Sequence, residues 1–449
     1  MKVAKFGGSS VASSEQIKKA GSIVAEDTER KFVVVSAPGK QFDTDTKITD
    51  RLIELSYVEF NTKEYKSISD KIIERFAKIV HELDISNEIL TEISEAIDTA
   101  ASVETADQQR KTDILKSIGE DSCAKIVSRY LNTIGLNAQY VNPEEAGIIV
   151  SNEPGNAQIL PDSYKTLYEM REQKGIMVIP GFFGFTTDGK LMTFSRGGSD
   201  ITGSIVAAGV QADLYENFTD VDSVYVVDPR IIPNPEKVTT LTYKEMRELS
   251  YSGFGVFHDE ALMPAFQAEI PVCIKNTNNP ESAGTMIVSN KNEESRGVVG
   301  IASDTGFSNL YVSKYLMNRE LGFGRRLLQI LEDEGISFEH APSGIDNMSV
   351  IIRDDELTAE KELSVINRIH EELNPDTISI DYGFAMVMVV GEGMMSAVGI
   401  AEKSTAAFAD ANISIEMINQ GSSEVSVMFG IRKDKLHKAI KALYNKFFN

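Results

Sequence analysis

Residues 1–27 read MKVAKFGGSSVASSEQIKKAGSIVAED. Val3 to Phe6 has the character of a short buried strand, and it runs straight into Lys5-Phe6-Gly7-Gly8-Ser9-Ser10. A helical pattern follows, with Ile17, Ala20, Gly21 and Val24 on one face. A strand that feeds a glycine-rich turn and then a helix sets backbone N–H groups in a concave array. That array and the helix N-terminus bind an anion. Lys5 adds a point charge suited to phosphate, and Ser13 with Gln16 forms a capping box that starts the helix. The Walker A spacing is absent. Taken alone, the stretch reads equally well as a strand, a tight turn and a surface lysine.

A second glycine-rich turn shifts that balance. Residues 191–210, LMTFSRGGSDITGSIVAAGV, again end a strand on a basic residue, Arg196, followed by Gly197, Gly198 and a helix. Ser199 and Asp200 stand at the helix start. Asp200 either caps the helix, a role worth about 1 kcal/mol, or holds Lys5 or a bound cation. A third cluster, residues 217–235, NFTDVDSVYVVDPRIIPNP, ends a strand on Thr219 and Asp220 and carries an Asp228-Pro229-Arg230 turn. Acidic strand ends suit Mg²⁺ or ribose, and arginine suits phosphate. By itself this cluster reads as a solvated loop.

The 449 residues exceed one ordinary domain, and 42% hydrophobic with 25% charged residues is ordinary for a soluble globular protein. No run approaches a membrane span and no signal-peptide profile opens the chain, so a cytoplasmic location is expected. Cys123 and Cys273 imply neither a disulfide framework nor a metal site. A net charge of −22 argues against nucleic acid as a partner. An anionic ligand would then need a locally positive site. None of His81, His258, His340, His370 and His437 falls in a glycine-rich turn, and all read as structural or exposed.

Up to about residue 235, strand-like and helix-like segments alternate, which predicts a mostly parallel sheet sandwiched by helices, an α/β fold. Residues 57–118 read as a helical excursion from it. From about 297 the rhythm changes. ISFEHAPSGIDNMSVII (336–352) and ISIEMINQGSSEVSVMF (413–429) align without gaps at an offset of 77 residues. Each sits in a βαββα unit, so the tail predicts two ferredoxin-like βαββαβ domains. The second lacks its last strand, and GVVGIAS (297–303) is expected to supply it. The expected domains are residues 1–295, 306–383 and 384–449.

KFGGSS, SRGGSD and FTDVDSVYVVDPR, in that order and followed by the doubled tail, closely resemble aspartate kinase, a member of the amino-acid kinase fold. The tail is similar to a pair of ACT domains, which are small-molecule sensors. The resemblance covers essentially the whole chain and implies a monofunctional enzyme. Its reaction would be transfer of the γ-phosphoryl of ATP to the side-chain carboxylate of L-aspartate, the first step of lysine, threonine and methionine biosynthesis. It further implies ATP and Mg²⁺ as cofactors, with no separate protein metal site.

Lys5, Phe6, Gly7, Gly8 and Ser9 would follow the phosphates, and Thr219, Asp220, Tyr225 and Arg230 would contact the nucleotide. Ser36 in VVVSAPGK, Thr49 in TKITDRL and Glu120 in KSIGEDS would face aspartate, with Glu120 at its amine. Arg196 would grip the unreacting carboxylate, with Gly198 and Ser199 nearby, and Asp200 would orient Lys5. One position departs from the family: Gly255 in SGFGVFHDEALMPA occupies the place of an ATP-reaching lysine, while His258 still aligns. Either another cation, Lys275 or Arg230, would then substitute, or ATP would be bound differently.

In the tail, Met317, Asn318, Gly322, Phe323, Phe338 and Glu339 are effector-site candidates, with Asp346 as a second group for an ammonium. Lysine is the first effector candidate and threonine the second. A homodimer or higher homo-oligomer through the tail is expected. Two rivals remain: a kinase of the same fold for another small carboxylate, and a catalytically weak amino-acid sensor.

Overall fold

The computed structural model describes residues 1–103, 105, 107–255, 259–291, 297–421 and 425–449. His258 lies outside them. The chain divides into two compact units. The first comprises Met1–Val224, Lys237–Arg247 and Gly255–Asn292; the second comprises Tyr225–Glu236, Glu248–Phe254 and Glu293–Asn449.

Among the described residues the first unit holds strands β1 (Lys2–Phe6), β2 (Arg30–Val35), β3 (Ala138–Tyr140), β4 (Ile176–Pro180), β5 (Phe183–Phe185), β6 (Leu191–Thr193), β7 (Leu214–Thr219), β8 (Thr240–Thr242), β9 (Val272–Asn276) and β10 (Thr285–Val288). Eight of these make one sheet in the order β3-β4-β2-β1-β7-β9-β10-β8, while β5 and β6 pair as a separate hairpin. Every pairing in the large sheet is parallel except β9 with β10. Its helices are α1 (Ser14–Glu26), α2 (Ile48–Ser56), α3 (Lys63–Glu82), α4 (Glu88–Ala101), α5 (Gln108–Thr133), α6 (Ser163–Glu169), α7 (Gly198–Gly209) and α9 (Met263–Gln267), while α8 (Tyr243–Tyr251) is divided between the units after Arg247.

The central strand β1 is buried on both faces, as a parallel sheet requires. Ala4 and Phe6 join a core that includes Ile17 and Ile23 of α1 and Leu115 and Ile126 of α5. Phe6 stacks on Phe218 of β7 with ring centroids 4.9 Å apart. Ser13 caps α1 by accepting from Gln16 N at 3.3 Å. The helical excursion is longer than its expected bounds of 57–118, running from α2 through α5, that is from Ile48 to Thr133. Gly119 does not end α5. It sits where the helix meets residue 37, and a Cβ there would lie 2.9 Å from that of Ala37.

The second unit holds β11 (Gly300–Ser313), β12 (Asn347–Arg353), β13 (Thr377–Val390), β14 (Met417–Asn419) and β15 (Ser426–Arg432) in one sheet, in the order β12-β11-β13-β15-β14. Its helices are α10 (Phe323–Asp333), α11 (Ala359–Leu373), α12 (Ile400–Asp410) and α13 (Leu436–Phe447). GVVGIAS and NLYVSKYL, expected as two strands, belong to the single strand β11, and TISIDYG and AMVMVVG likewise merge in β13. An irregularity between Thr305 and Phe307, around Gly306, bends β11 without breaking the ladder. Residues 300–305 pair with 385–390, and residues 307–313 pair with β12. Segment 225–236 packs with this unit: Ile301 N donates to Val226 O at 2.7 Å. No helix among the described residues is long and apolar enough to cross a membrane.

Candidate active site

The two glycine-rich turns meet at the C-terminal edge of the parallel strands, where open α/β sheets bind ligands. They border a cavity of about 690 Å³. Lys5, although in a buried strand, turns its amine to this cavity and is only 5% exposed. Its partner in the register with β7 is Asn217. Lys5 Nζ and Asn217 Nδ2 both donate to Asp200 Oδ1, each at 2.5 Å. Asp200 therefore does more than begin α7: its carboxylate fixes the direction of the lysine amine. Asn217 escaped the sequence reading because its role arises from strand register, not from any local pattern.

The turn after β1 is held by Gly7 N donating to Phe218 O at 3.0 Å and Ser10 N donating to Gly7 O at 2.9 Å. Ser10 is also tied to Thr277 Oγ1 at 2.6 Å. Gly8 and Ser9 line the cavity, whereas the Phe6 side chain is in the core and Gly7 is not part of the lining. Across the cavity, Gly197 has φ 76°, a left-handed conformation that starts α7. Gly198 and Ser199 line the cavity beside it. Arg196 is exposed at its rim and makes no ion pair among the described residues.

Ser36 follows β2, with its N–H donating to Phe6 O at 3.1 Å, and Thr49 lies in the first turn of α2; both line the cavity. Glu120 of α5 also lines it and is 5% exposed. Its Oε2 is buried without a hydrogen-bond partner among the described residues. Burial pushes the Glu120 carboxyl up to about 8, opposed by the backbone at Ala37 and by the Lys116 charge. A buried carboxylate oxygen with an unmet bond, facing a cavity, suits a cationic ligand group.

Asp220 reaches the cavity, and Thr219 at the end of β7 donates to it at 3.1 Å. Tyr225 and Arg230 are not brought to this site. They belong to the second unit, where Arg230 is paired with Asp228 at 2.7 Å. Lys275, on β9, does not line the cavity either, and Gly255 is exposed with open space around it. The cations that do line it, besides Lys5 and Arg196, are Lys40 and Lys47 from the segment between β2 and α2. Both lysines stand in the quoted stretches VVVSAPGK and TKITDRL, but with no periodicity between them nothing in the sequence turned their side chains toward a site.

Phe182 was also missed. It lines the cavity at φ 78°, unusual for an aromatic residue. Thr202 Oγ1, which accepts from its N–H at 2.9 Å, and Lys116, whose Nζ lies 5.2 Å from the ring centroid, hold it there.

The expectation of a locally positive site is not met. Asp43, Asp50, Glu120, Asp200 and Asp220 stand among the four basic residues. Positive charge is concentrated at particular points instead of spread over a basin, and a polyanion entering here has to bring counter-charge with it.

In the second unit, Met317 and Phe323 are core residues, and Gly322 caps α10 at φ 76°. Asn318 N donates to Ile345 O at 3.1 Å. Phe338 is 45% exposed. Glu339 is already engaged by Arg353 Nε at 2.7 Å and by the Tyr251 hydroxyl. Asp346 Oδ1 accepts from Leu316 N at 2.9 Å.

The profile of the amino acid kinase family matches residues 1–276, and that of an ACT domain matches residues 387–447. Aspartokinase 3 of Bacillus subtilis (strain 168) is 53% identical over 448 residues, covering 100% of this chain and 99% of that protein. The crystal structure of Clostridium acetobutylicum aspartate kinase, described as an allosteric enzyme, superposes with a TM-score of 0.87 at 39% identity, covering 100% of both chains. Escherichia coli aspartokinase III has the same fold at 22% identity. Its complex with aspartate and ADP (R-state) gives a TM-score of 0.80 and its complex with lysine and aspartate (T-state) 0.77, each covering 100% of both chains.

Proposed function

This chain belongs to the amino acid kinase family and, within it, to the aspartokinases, and from that premise we propose how its cavity divides the reaction. The enzyme transfers the γ-phosphoryl of ATP to the side-chain carboxylate of L-aspartate, giving 4-phospho-L-aspartate and ADP. Both reactants are anions, so the barrier contains strong mutual repulsion. The observation that carries the reading is the meeting of the two glycine turns, with Lys5 Nζ held at 2.5 Å from Asp200. An amine fixed in direction by a carboxylate is preorganised to meet charge that develops on the transferring phosphoryl.

Gly8 and Ser9 present backbone to the phosphates, with Gly7 holding the turn behind them, while Thr219 and Asp220 lie toward the nucleotide. Aspartate is read by three groups. Arg196 takes the carboxylate that does not react, Glu120 the ammonium, and Ser36 and Thr49 the reacting side chain. No general base is required, because the acceptor carboxylate is already ionised near neutral pH. Positioning and electrostatics supply the rate.

Mg²⁺ fits as an ion that arrives on the nucleotide. No group of three or more His, Cys, Asp or Glu among the described residues could hold a metal alone, and one or two carboxylates plus phosphate oxygens is the usual arrangement. Asp200 and Asp220 are the carboxylates that would share it, and the ion supplies neutralisation of phosphate charge.

The tail is read as the sensor of an amino-acid effector, lysine before threonine, in a homodimer joined through the ACT region. Leu321 and Val398, one repeat apart, are 97% and 99% exposed, which supports a surface covered by a second copy. Of the effector candidates, Glu339 already accepts from Arg353 and Tyr251, so an ammonium would share its carboxylate with them.

The deciding assay measures ADP release with ATP and a panel of carboxylates, repeated with lysine and with threonine. Aspartate-dependent turnover is expected. Turnover with glutamate or acetylglutamate but not aspartate, or none at all, would overturn the reading.

A further inference from the structure

We propose that Arg75, a residue of α3 outside the cavity lining, is a positioning residue that registers the acceptor wall of the site against the nucleotide turn. The inference rests on the division of the cavity given above.

Segment 37–47 joins β2 to α2 without regular secondary structure, yet it contributes Pro38, Gly39, Lys40, Gln41, Phe42 and Lys47 to the cavity. Ser36 and Thr49, the groups assigned to the reacting side chain, flank it. Its own backbone bonds are few: Gly39 N donates to Gly8 O at 2.9 Å, and Asp45 N to Phe42 O at 3.0 Å. The start of α2 adds Ile48 N donating to Pro38 O at 3.4 Å, and Arg75 adds three bonds from outside. Nη1 pairs with Asp45 Oδ2 at 2.9 Å. Nη2 donates to Gly39 O at 3.0 Å and to Ala12 O at 2.8 Å. One guanidinium thus holds the start of the segment, its end, and the exit of the Gly7–Gly8 turn.

Asp45 in turn accepts from Gln41 N at 2.9 Å, and Gln41 Nε2 donates to the same Ala12 carbonyl at 3.3 Å. The arrangement is close-packed, since a Cβ on Gly39 would lie 2.7 Å from the Gly8 carbonyl carbon. The ion pair is largely sheltered, with side-chain exposures of 14% and 12%. Arg75 Nε is buried and has no partner among the described residues, an unmet donor that packing alone does not explain. A planar fork reaches three oxygens at once, and a lysine amine does not reproduce that geometry. Because the two walls must meet at near-attack distance, a small slip of the segment weakens both substrates together.

The test is steady-state kinetics, with ATP and aspartate varied separately, on wild type, Arg75→Met, Arg75→Lys and Asp45→Asn, together with Tm. Arg75→Met is expected to raise both KM values and to lower kcat/KM by about 10- to 100-fold. Asp45→Asn shifts both KM values the same way by less, and Arg75→Lys recovers part of the loss. A reduced folded fraction lowers kcat and leaves KM unchanged, so the paired KM rise separates positioning from stability. If Arg75→Met does not fold, Asp45→Asn decides. Both KM values within about twofold of wild type in the folded variants, or a loss in kcat alone, would overturn the proposal. A wild-type enzyme without aspartate-dependent turnover would overturn the reading of the cavity itself, and this inference with it.

Discussion

The two glycine turns follow one local pattern, strand, basic residue, two glycines and helix, but they fold differently. After β1, Gly7 is extended at φ −69° and the lysine is buried, tied to Asp200. After β6, Gly197 is left-handed at φ 76° and the arginine is exposed without an ion pair among the described residues. The first turn fixes its cation in place before any ligand arrives. The second leaves its guanidinium open to a carboxylate that comes and goes. A preset charge serves the transition state, and an adaptable one serves recognition.

The sharpest way to break this contrast is to remove each cation. Lys5→Ala should lower kcat by about 10³-fold or more, while near-native circular dichroism shows that the sheet survives. A near-native kcat would remove Lys5 from the chemistry. Arg196→Ala should act on KM for aspartate, raising it by about 10- to 100-fold with a smaller change in kcat. An equal fall in kcat for both variants would mean that the turns do not divide the work.

Glu120 extends the comparison to the ammonium. Its carboxyl is pushed up to about 8 from an ordinary 4.5 by burial, so the ligand-free site holds a proton near neutrality. An ammonium is met by the ionised form, so KM for aspartate should fall as pH rises toward about 8, by up to about tenfold per unit. Glu120→Gln should flatten that dependence and raise KM. The same shift has a stability side. The folded carboxyl binds its proton more tightly than the unfolded one. The stability this contributes is present below 4.5 and is lost as pH rises through about 8. A wild-type KM independent of pH over this range would show that Glu120 is already ionised or does not meet the ammonium.

What the sequence made legible was local. The first turn, the Ser13 cap and the β–turn–α rhythm follow from neighbouring residues, and the doubled tail follows from a 77-residue repeat. What it hid was set at long range. Asn217 reaches Asp200 only because β7 lies in register with β1. Arg75 is one of many charged residues on an amphipathic helix until the fold brings Gly39, Asp45 and Ala12 around it. Tyr225 and Arg230, close in sequence to Asp220, fold with the other unit. Phe182 sits after a Pro-Gly dipeptide that signals a turn, but its left-handed backbone is set by Thr202 and its other neighbours.

The smallest expected effect isolates the backbone difference itself. At Gly197, φ 76° lies where an L side chain is strained, so Gly197→Ala should cost about 1 kcal/mol of stability. At Gly7 an alanine meets no such strain. Its Cβ would lie 3.4 Å from Lys5 Nζ and 3.5 Å from Phe218 O, ordinary contact distances. Gly7→Ala should therefore leave Tm nearly unchanged while placing a methyl beside the amine that faces the phosphates, so its loss appears in kcat. Gly197→Ala should lower Tm by a few degrees. Thermal melts of the two variants measured in parallel decide the matter. Equal Tm losses would mean that the turns differ in their cations but not in backbone strain, and the contrast between a preset and an adaptable turn would then rest on Asp200 alone.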